Sequence, residues 1–191
     1  NERAEGIAFY RLDANKKTVL VTGGSLGAGS INKAMVRWLE KIAGWKDVQV
    51  IWQCGSYYYE ELEVQLKGHV PGNVKFMPFL KRMDLAYACA DLVVARAGAG
   101  TISELCLLGK AVVLVPSPNV AEDHQTKNAM ALVDKQAAVM VKDAEVVEHL
   151  GEVIERLLQD DGERNSLSEH ILTLAMKDSD EIIAGEILKI I

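Results

Sequence analysis

The sequence has little proline, little cysteine and no excess of positive charge, and each shortage excludes a class of protein. With four prolines in 191 residues, it contains no proline-rich linker. Its three cysteines include no CxxC pair, so we predict buried, reduced thiols rather than a disulfide framework or a catalytic cysteine. The net charge of −6 argues against broad phosphate neutralisation, and therefore against a nucleic-acid partner. No apolar run approaches the ~20 residues of a membrane span.

What is present is an ordinary globular composition, with 49% hydrophobic and 25% charged residues. This length and composition suit one domain with a proper core, which we expect to cover residues 1–191. Residues 1–11 are charged and helix-like, without an initiator Met or the pattern of a signal peptide. We therefore expect the chain to be a fragment of a longer protein.

Short β-rich apolar runs alternate with longer segments of helical periodicity. This alternation predicts an α/β fold, a Rossmann-like parallel six-stranded sheet with helices on both faces, followed by C-terminal helices. The predicted strands are residues 19–22, 48–53, 74–77, 92–95, 111–115 and 138–141. The predicted helices are residues 31–43, 57–67, 83–90, 101–108, 125–135, 146–158, 163–176 and 181–191, with cap residues at 160–162 and 178–180. Ligands of such sheets bind just after the strands.

Residues 22–30, with the sequence TGGSLGAGS, follow the first predicted strand and open a helix. Glycines allow a ligand to approach the backbone closely, and a helix N-terminus offers free N–H groups and a positive dipole end. We therefore predict an anion-binding loop, the alternative being a tight turn without a ligand. The segment is neither a dinucleotide fingerprint nor a P-loop, since it fits neither G-x-G-x-x-G nor G-K-[ST].

Residues 96–104, with the sequence RAGAGTISE, form a second glycine-rich turn after the strand at 92–95. Two such turns on one sheet indicate a diphosphate or a sugar phosphate. The next strand ends in Pro116-Ser117 rather than in an acid for a ribose, which argues against a nicotinamide cofactor. The carboxylate of Glu104 could accept hydrogen bonds from ribose hydroxyls; alternatively it is a first-turn acid favoured by the helix dipole.

Two further segments follow strands. In residues 116–129 a proline-stiffened loop leads to His124, Gln125 and Asn128 within one helical turn, and amide side chains suit sugar hydroxyls. Asp123 is interpreted mainly as a helix N-cap. Residues 76–83 form an irregular apolar loop that could pack a flat base, or simply cover the core.

Metal chemistry has little support in the sequence. The Asp-Ser-Asp at residues 178–180 has a D-x-D form but lies between predicted helices, so we interpret it as a cap. No His/Cys/Asp cluster has metal-ligand spacing, and no Ser-His-Asp pattern is evident. We predict no metal and no cofactor.

Three of these segments together carry a family resemblance. GGSLGA (23–28), the run from FL to AYACADLVVARAGAGTISEL (79–105) and AEDHQTKNA (121–129) resemble the C-terminal domain of the peptidoglycan N-acetylglucosaminyltransferases. These are GT-B enzymes of glycosyltransferase family 28, and the resemblance covers about residues 9–191. It implies the C-terminal half of a GT-B fold, which binds the donor UDP-GlcNAc. The full-length enzyme would convert lipid I to lipid II by inverting transfer at the cytoplasmic face of the inner membrane.

The resemblance also implies roles for individual residues. Uracil would be read by the main chain near Leu80, with Met83 nearby, and Glu104 would hold the ribose. The diphosphate would be bound by Gly24, Ser25, Gly27, Arg96, Ala99, Gly100 and Thr101, and the sugar by His124, Gln125 and Asn128.

Two departures from the family pattern concern the active site. The family's usual Arg after GGSLGA is Gly29 here, and its G-N-P-V-R segment would precede residue 1. The N-terminal domain, which would bind lipid I, touch the membrane and supply the catalytic base, is missing. We therefore expect donor binding without turnover.

Three alternatives stay open at this point. The chain could be the donor-binding subunit of a split glycosyltransferase, whose acceptor site lies on a separate chain. It could be a GT-B relative such as a UDP-GlcNAc 2-epimerase, which would need acid and base carboxylates in the cleft. It could also be a nucleotide-sugar sensor without enzymatic activity.

Overall fold

A computed structural model describes residues 1–119, 123–177, 185, 188 and 189 of the chain. The strands are β1 (Lys17–Thr22), β2 (Val48–Gln53), β3 (Val74–Met77), β4 (Leu92–Ala95), β5 (Val112–Leu114) and β6 (Val139–Met140). The helices are α1 (Glu2–Tyr10), α2 (Gly29–Ala43), α3 (Ser56–Leu66), α4 (Met83–Cys89), α5 (Ala99–Leu108), α6 (His124–Val133), α7 (Val146–Gln159) and α8 (Asp161–Leu172). A 3₁₀ turn, Asp143–Glu145, leads into α7.

The six strands form one sheet in the order β3-β2-β1-β4-β5-β6, and every neighbouring pair is parallel. This is the strand order of a Rossmann-type fold, so the predicted fold class is confirmed. Thr22, the last residue of β1, is in register with Gln53 of β2 and Ala95 of β4. The three loops that follow these strands therefore meet at one edge of the sheet.

The alternation of side chains along each strand divides the core into two layers. One layer joins Val19 and Val21 to α2, α3 and α7, with Ile31 and Leu157 fully buried in it. The other layer joins Leu20 to the helices on the opposite face, through Tyr10, Leu85, Leu105 and Leu132. The four central strands, β2, β1, β4 and β5, are buried on both sides, which explains their nearly continuous hydrophobic sequence, whereas the edge strands β3 and β6 are only partly buried.

Within the described residues the predicted elements are confirmed with differences at their ends, the largest at α8, which spans Asp161–Leu172 where residues 163–176 were predicted. Helices α2 and α5 each begin two residues earlier than predicted, because Gly29-Ser30 and Ala99-Gly100 already belong to their first turns. Asp160 caps α8 by accepting from the Glu163 N–H at 2.8 Å, whereas Asp161 and Gly162 already belong to the helix. The predicted cap at 178–180 and most of the predicted helix at 181–191 lie outside the described residues.

The N-terminal segment forms α1, which packs against α4. The helices touch closely, since a Cβ on Gly6 would lie 2.4 Å from Cys89 Sγ. All three cysteines are buried and free, as predicted, and burial raises the pKa of Cys54 to about 11. Of the helices described, none is both long and apolar enough to cross a bilayer.

Candidate functional site

A cleft of about 590 Å³ opens at the carboxyl ends of the strands, where β1 lies beside β4 and the strand order reverses. This switch point is the usual place for a ligand in an open parallel sheet. The cleft is lined by Thr22 at the end of β1 and residues 23–30 after it, Tyr58 after β2, Arg96 and Thr101 after β4, Ser117 and Gln125 after β5, and Asp143 after β6. Five of the six strands thus contribute to it.

Buried amide side chains hold the glycine loop of residues 23–28 in place. Gln53 Nε2 donates to the carbonyl oxygen of Gly24 at 2.8 Å and to that of Pro78 at 3.1 Å. Asn32 Nδ2 donates to the carbonyl oxygen of Cys54 at 2.8 Å, and Asn32 Oδ1 accepts from Trp52 Nε1. Because both amides are almost completely buried, Gln53 fixes the glycine loop, and Asn32 fixes the turn after β2 that lies against it, before any ligand arrives.

Two helix N-termini face this region without side-chain caps. The N-cap residues are Ala28 for α2 and Gly98 for α5, and neither makes a side-chain capping hydrogen bond. The first N–H groups of a helix have no partner inside the helix and carry its positive dipole end. Both glycine-rich turns therefore present backbone donors suited to an anion, as the sequence predicted for the loop after β1 and the turn after β4.

Arg96 lies in the cleft, but its guanidinium already has several acceptors. It donates to the carbonyl oxygens of Val115 and Pro116 at 3.1 and 3.2 Å, to Ser30 Oγ at 3.0 Å, and to Asp143 Oδ1. The side chains of Arg96 and Asp143 are 17% and 22% exposed. This network joins the ends of β4 and β5 to α2 and to the 3₁₀ turn. Its geometry indicates that Arg96 shapes the cleft; its predicted contact with a diphosphate stays a prediction.

Replacing Asp143 with alanine is expected to lower the free energy of unfolding by about 2 kcal/mol, because Arg96 would remain poorly hydrated without its counter-charge. Urea denaturation followed by circular dichroism measures this loss. Glu145→Ala is the matched control, since Glu145 lies in the same turn and its 3.8 Å ion pair with Lys142 is exposed. Equal stability of the two variants would contradict a structural role for the Arg96–Asp143 pair.

The cleft brings together six of the residues predicted to bind the donor: Gly24, Ser25, Gly27, Arg96, Thr101 and Gln125. Ala99 and Gly100 are exposed at the N-terminus of α5, beside the lining residues Gly98 and Thr101. The remaining predicted residues, which are Leu80, Met83, Glu104, His124 and Asn128, are not among the residues that line the cleft.

The three residues predicted to bind the sugar occupy the first turns of α6. Gln125 Oε1 accepts from the Ser117 N–H at 2.9 Å, and Asn128 Nδ2 donates to the carbonyl oxygen of Ala97 at 3.1 Å. His124 is exposed. The two amides connect α6 to the loops after β5 and β4, so each has at least one protein contact in addition to its predicted role. Asp123 occupies the N-cap position, but its side chain makes no capping hydrogen bond.

The predicted ribose residue Glu104 lies in the second turn of α5, which begins at Ala99. The alternative of a first-turn acid is therefore wrong. Its side chain is exposed and accepts a hydrogen bond of 3.1 Å from the hydroxyl of Tyr87. In the predicted uracil loop Leu80 is buried in the core and Met83 begins α4, so any contact with a base at Leu80 would come from its main chain.

Sequence reasoning missed two residues that line the cleft, Tyr58 and Asp143. Both follow strands: Tyr58 comes five residues after the end of β2, and Asp143 three residues after the end of β6. Their position after strands could have identified them, but neither lies in a glycine-rich motif. Elsewhere in the described part of the chain, no group of three or more His, Cys, Asp or Glu side chains could hold a metal ion.

A Rossmann-type sheet with two uncapped helix N-termini at its switch point defines the class of α/β domains that bind nucleotides or their sugar derivatives. The sequence model described as "Glycosyltransferase family 28 C-terminal domain" matches residues 18–182. The chain belongs to this family, as the sequence motifs predicted.

Proteins similar to this chain agree with the family assignment. One from Parabacteroides distasonis is 52% identical over all of this chain and over 52% of its own length. One from Bacteroides thetaiotaomicron is 51% identical over 99% of the chain and 51% of its own length. Both are named UDP-N-acetylglucosamine--N-acetylmuramyl-(pentapeptide) pyrophosphoryl-undecaprenol N-acetylglucosamine transferase. The chain thus spans about half of each relative.

A solved structure gives the same result for the fold. The crystal structure of Acinetobacter baumannii MurG matches with a TM-score of 0.78 and 28% identity. The match covers 91% of this chain and 52% of that one.

Proposed function

We propose that this domain binds UDP-GlcNAc in the cleft at the β1/β4 switch point. The observation that carries the proposal is the convergence of two uncapped helix N-termini, those of α2 and α5, on one cleft. Two sets of free N–H groups suit the two phosphates of a nucleotide sugar better than a single phosphate. The names of the similar proteins support GlcNAc as the sugar.

The proposed reaction of the complete enzyme is inverting transfer of GlcNAc to the muramic acid 4-hydroxyl of lipid I, which forms lipid II. As the acceptor hydroxyl attacks the anomeric carbon, the bond to UDP breaks and negative charge grows on the diphosphate. Backbone donors already aimed at that charge lower the barrier, because they need no reorganisation during the reaction. The role of this domain is then to hold the donor and to stabilise its leaving group.

Acceptor binding and base catalysis belong, in this proposal, to the half of the similar proteins that this chain does not match. Their names include a pyrophosphoryl-undecaprenol, which is a lipid-linked acceptor. We therefore place the complete enzyme at the cytoplasmic face of the inner membrane, with membrane contact made by that other half. The proposed general base also lies there.

Titration calorimetry of the 191-residue chain tests the proposal. UDP-GlcNAc is expected to bind more tightly than UDP-glucose or UDP-galactose, and the chain alone is expected to form no lipid II from lipid I. Preference for glucose or galactose would contradict the assignment to cell-wall synthesis. Rapid transfer to lipid I by the chain alone would contradict the assignment of acceptor binding and base catalysis to the other half.

The 2-epimerase alternative has less support from the cleft. Among the described residues that line it, Asp143 is the only carboxylate, and its Oδ1 already accepts hydrogen bonds from Arg96 and Ser30. Acid–base catalysis at a sugar carbon needs a carboxylate that can exchange a proton with the substrate. Incubation with UDP-GlcNAc followed by chromatography tests this directly, and formation of UDP-ManNAc would favour the epimerase.

A further inference from the structure

Tyr58, in the first turn of α3, stands beside the glycine loop that begins α2. It is partly buried and lines the cleft. A Cβ placed on Gly29 would lie 3.0 Å from the Tyr58 hydroxyl oxygen and 3.3 Å from Cζ. The hydroxyl therefore lies next to the first turn of α2, whose N–H groups have no partner within the helix. The Tyr57 ring packs edge-on against the Tyr58 ring, with centroids 4.9 Å apart.

The Tyr58 hydroxyl forms no hydrogen bond with any residue in the described ranges. Three other tyrosine hydroxyls have partners: Tyr10 donates to the Arg82 carbonyl, Tyr59 to Glu63 and Tyr87 to Glu104. Tyr58 thus keeps a polar group available at the wall of an anion-binding cleft. A phenol is both a donor and an acceptor, and its O–H can donate to a phosphate oxygen without adding a charge.

Charge in the cleft also favours a neutral donor at this position. Arg96 is the only cationic side chain among the described lining residues, and Asp143 already pairs with it. A bound diphosphate would therefore depend mainly on uncharged donors, namely the N–H groups of the two turns and nearby hydroxyls. Of these hydroxyls, that of Ser30 is engaged with Asp143, whereas that of Tyr58 is not engaged by the described residues.

We propose that the Tyr58 hydroxyl donates a hydrogen bond to the diphosphate of the bound nucleotide sugar, which makes Tyr58 a further donor-binding residue. This inference rests on the proposed function, because it requires the diphosphate to occupy the cleft. Tyr58 would then act together with the N–H groups of the first turn of α2, with Gly29 leaving room for its ring.

The test compares Tyr58→Phe with Tyr57→Phe, a matched control because the Tyr57 side chain is 78% exposed and outside the cleft lining. Binding of UDP and of uridine is measured by NMR chemical-shift titration, which detects weak and tight binding. Tyr58→Phe is expected to bind UDP about tenfold more weakly, the effect of one hydrogen bond to a charged group. Its affinity for uridine, and the affinities of Tyr57→Phe for both ligands, should stay unchanged.

The other outcomes distinguish a failure of the proposed function from a failure of this inference. If the unaltered chain does not bind UDP, the proposed function fails and this inference fails with it. If it binds UDP and Tyr58→Phe binds equally well, only the inference fails. Equal weakening of UDP and uridine would assign Tyr58 to the fold or to the base, and equal effects in Tyr57→Phe would also overturn the proposal.

Gly29→Ala provides an independent second variant, because its new Cβ would press on the Tyr58 hydroxyl and shift it. It is expected to weaken UDP binding in the unaltered chain, but much less in a chain that already carries Tyr58→Phe. Such non-additivity measures coupling between the two positions. Fully additive effects would show that Gly29 acts independently of Tyr58. They would contradict the proposal that the Tyr58 hydroxyl and the first turn of α2 bind the diphosphate together.

Discussion

Gly27→Ala is expected to lower the free energy of unfolding by at least about 3 kcal/mol and to abolish nucleotide binding. Gly27 has φ of +87°, which side chains rarely adopt, and its Cβ would lie 2.0 Å from the carbonyl oxygen of Cys54. That carbonyl is held by Asn32, so it cannot withdraw without breaking a buried hydrogen bond. The glycine loop would have to move away from the loop after β2, and the cleft would lose one wall.

Gly24→Ala is the matched control for this prediction. Gly24 has a similar φ of +83°, but nothing lies within 4 Å of its Cβ position. The free energy of unfolding of the control should therefore fall by only about 1–2 kcal/mol, which is the cost of a side chain in the left-handed backbone conformation. Urea denaturation of both variants separates backbone strain from steric conflict. Equal losses would mean that the close approach to Cys54 contributes nothing to stability.

The fold could be predicted from the sequence because its four central strands are buried on both faces. Continuous apolar runs such as 92–95 and 112–115 indicate strands rather than loops, and the intervening helices are long enough to show their periodicity. The ends of elements were less accurate, because capping glycines and alanines can belong equally to a loop or to a first helical turn. Periodicity does not determine the order of the strands in the sheet, which the structure shows to be β3-β2-β1-β4-β5-β6.

The candidate site was predictable only in part. The glycine-rich turns at 23–28 and 96–101 are visible because glycine clusters after strands are unusual, and the structure brings both turns to one cleft. Gln53 and Asn32, which support the first turn, looked like ordinary polar residues at the end of a strand and within a helix. Their role depends on contacts between segments that lie more than 20 residues apart.

The Arg96–Asp143 pair illustrates the same limit. Arg96 next to a glycine turn indicated a phosphate ligand, whereas its observed partner comes from a turn 47 residues further along the chain. A pairing between such distant residues has no local signal in one sequence. Arg96 lies in the cleft lining, but its local sequence could not show that its charge is already balanced by Asp143.

Glu104→Ala is expected to weaken UDP binding at least about tenfold if Glu104 holds the ribose as predicted, because the hydrogen bonds of its carboxylate to the ribose hydroxyls would be lost. Glu104 lies three residues after the cleft residue Thr101, on the same side of α5. The Tyr87 hydroxyl donates to Oε2 of Glu104 and so orients the carboxylate, leaving Oε1 available to a ligand. Burial, followed by the negative charge of Glu104, raises the pKa of Tyr87, which keeps this phenol protonated as a donor.

The experiment should identify the ribose as well as a loss of affinity. UDP and 2′,3′-dideoxy-UDP are titrated into the unaltered chain and into Glu104→Ala. If Glu104 holds the ribose diol, the unaltered chain prefers UDP, and the variant binds the two ligands equally. Glu63→Ala is the control, since Glu63 also accepts a hydrogen bond from a tyrosine hydroxyl, that of Tyr59 at 2.8 Å, but lies in α3 rather than in α5. An unchanged preference for UDP in Glu104→Ala would contradict the prediction that Glu104 holds the ribose diol.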